Sequence, residues 1–249
     1  MLSINQRKIF RSCISLLIAL FLIQPCFGKK HDKKTDKKSK KSEIKQPLLR
    51  AIGLQVDVAS LIGGKLISSD IQSYEASVDV NLHNAWFPTW EFGYANINHT
   101  EGNHAQFTAN GIFNRIGFNI NLLKSSDQSK PIGSIFYAGL RIGHSTFHYN
   151  IVNLVITDPY WKTTQVLSAL NNQTSATWGE FVAGVRVEII KDITLGWSAR
   201  LRTGLSLSKN SFDPWYVPGY GKVNGSGWGF TYTIGYLIPM KSNKQKTKP

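Results

Sequence analysis

The chain has 249 residues, two cysteines and a formal net charge of +14. That charge sits at the ends: residues 1–28 carry three basic side chains, residues 29–45 hold nine lysines against three acids, and the last nine residues hold four lysines, which leaves about +1 for residues 46–240. A near-neutral body behind an export signal excludes nucleic acid as a partner, and no segment after residue 28 is apolar for long enough to make a transmembrane helix.

The first predicted element is a signal peptide over residues 1–28. Arg7, Lys8 and Arg11 form a basic n-region, Cys13 to Ile23 a short apolar h-region, and Cys26-Phe27-Gly28 offers small residues where a signal peptidase reads. The apolar run is too short to span a bilayer. Cys26 also raises a lipoprotein reading, which Gln24 and Pro25 oppose because a lipobox has small residues there. Both cysteines leave with the signal, so the mature chain has no disulfide. Residues 29–49 follow as a Lys-rich tail, expected to be solvated and disordered or to act as a tether to anionic lipid or an acidic partner.

From residue 50 to 240 the chain reads as strands separated by turn signals. The first runs from Ala51 to Ile62, with Leu54, Val56 and Val58 alternating with Gln55 and Asp57. The second, Ile71 to Leu82, alternates without a fault from Tyr74 to Leu82. The third is Thr89 to Ile97, with Trp90, Phe92 and Tyr94 against Glu91 and Gly93. The fourth is Gly111 to Leu123, with Ile116, Phe118 and Ile120 against Arg115, Gly117 and Asn119. The fifth, Ile135 to Phe147, sets Phe136, Ala138, Leu140 and Ile142 against Gly139, Arg141 and Gly143. The sixth, Trp178 to Ile190, sets Phe181, Ala183, Val185 and Val187 against Glu180, Gly184, Arg186 and Glu188. The seventh, Ile193 to Leu207, sets Leu195, Trp197, Ala199 and Leu201 against Gly196, Ser198, Arg200 and Arg202. The eighth, Trp228 to Ile238, sets Phe230, Tyr232 and Ile234 against Thr231, Thr233 and Gly235. A basic tail, residues 241–249, ends the chain.

Eight strands of this length, an even number, suit a transmembrane barrel. The links alternate in length: residues 63–70, 98–110, 148–177 and 208–227 on one side, 83–88, 124–134 and 191–192 on the other. This is the asymmetry of a barrel with long extracellular loops and short periplasmic turns, and it puts both termini in the periplasm. The polar face carries a predicted lumen charge network of Asp57, Glu75, Asp79, Glu91, Arg115, Arg141, Glu180, Arg186, Glu188, Arg200 and Arg202. An eight-stranded barrel is just wide enough for side chains to fill, and interior glycines at 93, 117, 139, 143, 184, 196 and 235 make room for the arginines. The expectation is an all-β protein, an eight-stranded antiparallel transmembrane β-barrel of outer-membrane type with a charged, filled lumen. A soluble exported ligand-binding barrel is the alternative fold.

Candidate chemistry is sparse. His144, Ser145 and His148 lie near one end of the fifth strand, where a lipid-acting barrel enzyme would place such residues, but no nucleophile motif surrounds them. No cysteine and no tight histidine cluster points to a metal, and no cofactor is expected. Eight strands packed with Arg and Glu argue against a diffusion pore. The link from Phe212 to Tyr220 is the best interaction candidate: two prolines restrict its backbone, and Trp215, Tyr216 and Tyr220 are residue types that dominate hot spots. The other reading packs these aromatics over the barrel mouth or at the membrane interface. The link 148–177 is the longest, with Tyr160 and Trp161 near its middle and a helical turn expected over Val166 to Leu170. Tyr160 and Trp161 join the partner-binding set.

The strand from Gly229 to Ile238 looks like the closing strand that barrel-assembly machinery recognises, although Pro239 and a Lys-rich tail follow where that pattern ends the chain on an aromatic. The segments Tyr74 to Asn81, Ala183-Gly-Val-Arg-Val187, Leu195-Gly-Trp-Ser198 and Pro214-Trp-Tyr-Val-Pro-Gly-Tyr-Gly221 resemble a family of small eight-stranded outer-membrane β-barrel proteins of Gram-negative bacteria. The resemblance implies a non-catalytic, structural or accessory role as the integral barrel subunit of a variant β-barrel assembly (Bam) complex. It implies outer-membrane lipid and other outer-membrane proteins or surface lipoproteins as partners.

Overall fold

Side chains in a strand alternate between two faces, so a period of two commits a segment to one face in and one face out. The computed structural model describes residues 48–61, 70–102, 105–123, 131–158, 160–161, 163–208, 212–225 and 227–240. The predicted signal peptide, the lysines of the N-terminal tail and the tail 241–249 lie outside the described residues. Within them the chain forms ten strands: β1 (Leu49–Asp57), β2 (Ile71–Leu82), β3 (Trp86–Thr100), β4 (Gln106–Asn121), β5 (Ile135–Thr157), β6 (Thr164–Ile190), β7 (Ile193–Leu207), β8 (Tyr216–Val217), β9 (Gly221–Lys222) and β10 (Trp228–Pro239).

The eight long strands pair antiparallel and close into a ring in the order β1-β10-β7-β6-β5-β4-β3-β2, with β8 and β9 as a separate two-stranded sheet. The seam joins the first and last strands, from Ala51 opposite Pro239 to Asp57 opposite Thr233. Closure leaves no long edge unpaired around the ring. Each strand turns one side chain in and the next out: along β7, Thr194, Gly196, Ser198 and Arg200 are buried, while Ile193, Trp197 and Leu201 are exposed. Among the described residues no helix is long and apolar enough to cross a membrane, which says nothing of a β-barrel.

The links after β2, β4 and β6, with the start of β1 and the end of β10, mark one end of the ring, called here the turn end. At the other, the loop end, lie the described residues 58–61, 70, 101–102, 105, 158, 160–161, 163, 208, 212–225 and 227. Tight turns at the turn end use residues that tolerate left-handed backbone: His83 (φ 53°), Asn84 (φ 58°) and Asp192 (φ 67°).

Several predicted boundaries move. The first strand stops at Asp57 rather than Ile62: residues 58–61 turn helical. The Asp57 carboxylate accepts the Ala59 N–H at 3.0 Å, which is N-cap chemistry and competes with strand continuation. The third and fourth strands run farther than expected, so only 101–105 link them. The largest difference is the link 148–177. It is no irregular loop but the outer half of a long hairpin, and Val166 to Leu170, expected as a helical turn, is part of β6. Val155 pairs with Val166 and Leu154 with Leu167. A stretch rich in Val, Ile, Leu and Thr pairs with itself once a turn brings its halves together.

Candidate functional site

The interior is the candidate site, and the register builds it. Long charged side chains inside a narrow ring need room, and several of them have a glycine opposite on one neighbouring strand. Arg115 pairs with Gly143 and Arg141 with Gly117. Arg186 pairs with Gly196, Arg200 with Gly229, Glu75 with Gly93 and Asp79 with Gly53. A Cβ at Gly117 would meet the Leu140 carbonyl oxygen at 1.8 Å and the Arg141 Cδ at 2.8 Å. At Gly53 it would meet Asp79 Oδ1 at 2.5 Å.

Glu91 lies at the centre, 3 % exposed. It accepts from Arg115 Nη1 at 3.1 Å, Arg141 Nε at 3.1 Å and Arg200 Nη1 at 2.5 Å. Glu75 receives Arg115 at 2.7 Å and Arg200 at 3.3 Å. Glu180 receives Arg115 Nε at 3.0 Å, Arg200 and Arg202 at 3.5 Å each, and the Trp178 indole N–H at 2.7 Å. Arg141 donates onward to the Asn119 side-chain oxygen at 2.8 Å and to the Phe118 and Leu140 carbonyls. A second pair stands nearer the turn end: Arg186 Nη1 grips Asp79 at 2.9 and 3.0 Å, and the guanidinium lies 5.3 Å from the Phe87 ring centre. These are charge-assisted bonds in a dry setting, where each ion needs partners to offset its desolvation.

The structure therefore brings Glu75, Asp79, Glu91, Arg115, Arg141, Glu180, Arg186, Arg200 and Arg202 together inside the ring. Asp57 is buried with them, but its carboxylate accepts the Ala59 and Tyr232 backbone N–H groups. Glu188 is a correction. It keeps the inward parity, opposite the buried Thr194, but it lies exposed at the rim of the turn end, beyond reach of the arginines, where its carboxylate accepts the Asp192 N–H at 3.1 Å. A polar cavity of about 30 Å³ remains among the charges, lined by Gln55, Glu75, Tyr137, Arg186 and Arg200 among others. That is room for a water or two.

Above the charges, at the loop end, the interior turns apolar. Phe107, Phe113, Phe147, Tyr149 and Trp178 form a buried cluster with Ile97 and Val217. Sequence reasoning left these aromatics unassigned, although the parity that turns Arg115 and Glu180 inward also turns Phe113 and Trp178 inward. Trp215, Tyr216, Tyr220 and Val223, from the link between β7 and β10, fold onto this cluster. Val217-Pro218-Gly219-Tyr220 is a tight turn closed by the Tyr220 N–H to the Val217 carbonyl at 3.1 Å, with Pro at the second position and Gly219 at φ 80° at the third. Two network arginines reach up to hold it: Arg115 Nη2 donates to the Gly219 carbonyl at 2.8 Å and Arg202 Nη1 to the Tyr220 carbonyl at 2.6 Å. Tyr149 donates to the Phe212 carbonyl at 2.5 Å. Trp215 stacks on His99 with ring centres 4.2 Å apart, and Lys222 lies 4.7 Å from the Trp215 ring on another side.

The five partner-binding candidates thus fall into two sets. Trp215, Tyr216 and Tyr220 pack over the interior cluster as part of this plug. Tyr160 and Trp161 stand at the tip of the β5–β6 hairpin, 81 % and 73 % exposed. The Asp158 carboxylate shapes that tip by accepting the Tyr160 and Trp161 N–H groups at 2.8 and 3.0 Å, and those bonds hold its carboxyl below the usual carboxylate range.

His144 and Ser145 do not form a pair. Ser145 is buried and donates to the Ile112 carbonyl at 3.0 Å, while His144 faces outward beside the Thr177 hydroxyl at 2.9 Å. Among the described residues no group of three or more His, Cys, Asp or Glu is placed to hold a metal ion.

No curated protein matches the chain. A family model described as a domain of unknown function (DUF6048) matches residues 9–243, and the chain belongs to that family.

Proposed function

We propose that the chain is a non-catalytic outer-membrane β-barrel that serves as a structural or accessory subunit of a larger outer-membrane complex. The observation that carries the membrane reading is the outer wall. Leu54, Tyr74, Trp90, Ile116, Ile142, Phe181, Trp197 and Phe230 take at least one exposed apolar side chain from each long strand, while Asp79, Glu91, Arg115, Arg141, Glu180, Arg186 and Arg200 are buried inside. A soluble barrel would gain nothing by hydrating that wall, since apolar surface in water costs about 25 cal/mol per Å². In lipid the same wall is at home, and the strands' polar faces meet one another in the filled interior.

The proposed orientation puts the turn end and both termini in the periplasm and the β5–β6 hairpin outside the cell. With the interior packed by ion pairs and capped by the plug, function falls to surfaces: outer-membrane lipid around the wall, and other outer-membrane proteins or surface lipoproteins at the hairpin tip. Outer-membrane protein assembly is the most concrete setting, on the family resemblance of the segments around Tyr74 and Trp215.

The test is a tagged full-length chain extracted in mild detergent. Heat-modifiable gel migration is expected, together with co-purification of at least one outer-membrane protein. Migration unaffected by heating would count against the membrane barrel. Recovery as a lone monomer would remove the subunit role and leave the barrel standing.

A further inference from the structure

The outer wall is not apolar all the way to the loop end. On strands β2 to β5, Gln72, Asn96, Asn110 and His148 stand directly opposite one another, each strand contributing one residue to a single row. All four are exposed and outward-facing, and none makes a side-chain hydrogen bond to another described residue. The row beneath begins with Tyr74 opposite Tyr94, 50 % and 43 % exposed. Two rows farther down the wall is wholly apolar on these strands: Val78, Trp90, Ile116 and Ile142.

Strands lie about 4.8 Å apart, so the row is a ladder of neutral amides and one imidazole at that spacing. Each amide offers two donors and an acceptor, and the imidazole offers one of each when neutral. No Lys, Arg, Asp or Glu stands in either row. Phosphate-bearing headgroups are met by clusters of Lys and Arg, which this face lacks. Uncharged hydroxyls, which both give and accept hydrogen bonds, match it. The two tyrosine rings below supply flat apolar faces with a polar tip, suited to the C–H face of a sugar ring.

We propose that this face docks the uncharged saccharide headgroup of a membrane glycolipid in the loop-side leaflet. The inference rests on the membrane reading above: the apolar rows take the acyl chains, the row of Ala76, Phe92, Asn114 and His144 begins the polar margin, and the amide ladder stands two rows above it, among the headgroups.

The full-length chain is reconstituted into phosphatidylcholine vesicles containing a minor fraction of digalactosyl diacylglycerol. A parallel set carries phosphatidylglycerol instead. Lipid retained after gentle detergent extraction is read by native mass spectrometry. The expected result is at least about tenfold enrichment of the galactolipid over phosphatidylcholine, equivalent to about 1.4 kcal/mol. The double variant N96L/N110L should insert normally and lose the enrichment, while N96Q/N110Q should keep it. Parity of the two lipids in the wild type, preference for phosphatidylglycerol, or undiminished enrichment in the leucine variant would overturn the docking face alone. Failure of the wild type to insert would bring down the membrane reading, and this inference with it.

Discussion

Arg115 shows how tightly the interior is committed at the scale of one side chain. It is 2 % exposed, touches Glu75, Glu91 and Glu180, and also holds the plug through the Gly219 carbonyl. Replacing it with methionine keeps the bulk and leaves three carboxylates short of a partner. Breaking a buried pair from one side costs about 3–5 kcal/mol, so Arg115→Met should lower the heat-modification midpoint and the urea midpoint in detergent micelles sharply. Arg202→Met should cost less, because Arg202 meets its carboxylate only at 3.5 Å. The glycines give a paired test. Gly117→Ala drives a Cβ into the Leu140 carbonyl, a backbone atom that cannot step aside, whereas a Cβ at Gly179 meets nothing nearer than 3.8 Å. The first variant should fail to reach the folded band on gels. The second should match wild type within about 0.5 kcal/mol.

Two elements carry the behaviour that no strand pattern announces. The plug depends on Gly219, whose φ of 80° and close approach to the Phe113 ring both require the absence of a Cβ. Gly219→Ala should cost at least about 1 kcal/mol locally. Limited proteolysis should then cut within 212–225 while the ring of strands stays folded. The hairpin tip depends on Asp158. Because the folded carboxyl titrates below its ordinary value, the tip's support is fully present at and above the ordinary carboxylate range. It is lost only as pH falls through the lowered value. Backbone amide shifts of Tyr160 and Trp161 should therefore hold steady from neutral pH down to that range and move only in stronger acid. Both elements show where the sequence was legible and where it was not. The ends of β2 and β7 coincide with the predicted ones because alternation there is uninterrupted and turn residues bound it. The hairpin beyond Phe147 was hidden because apolar runs such as Ile151 to Ile156 do not alternate, and a two-sided ribbon leaves no period to read. The packing of Trp215 over the barrel mouth was one of two readings of its link, and the sequence could not choose between them because the choice rests on His99 and Phe107, on strands far away in sequence.

For the whole molecule, eight strands and their two faces were legible because one rule, the parity of the arginines, repeats from β4 to β7. What parity could not supply was the vertical order of the interior, with ions in the middle and aromatics toward the loop end. Phe113 and Arg115 share a face, and only the shape of the closed ring decides which neighbours each meets. The ion pairs are shielded from solvent on all sides, and buried pairs are screened little by salt. Raising ionic strength from about 0.1 to about 1 M should shift the heat-modification midpoint by no more than a few degrees. A large drop would mean that the network is wetter than its burial indicates.

The pairing of Glu75, Asp79, Arg115, Arg141, Arg186 and Arg200 with a glycine on a neighbouring strand has a consequence for how the ring closes. If two strands slipped by one position, arginines would face the outer wall. If they slipped by two, the faces would be right, but Arg141 would leave Gly117 and come against Arg115 or Asn119 instead. Either error would meet a steric clash or a stranded charge. The glycine partners thus give the correct register a margin over its nearest competitors, which differ from it by a single step of two residues.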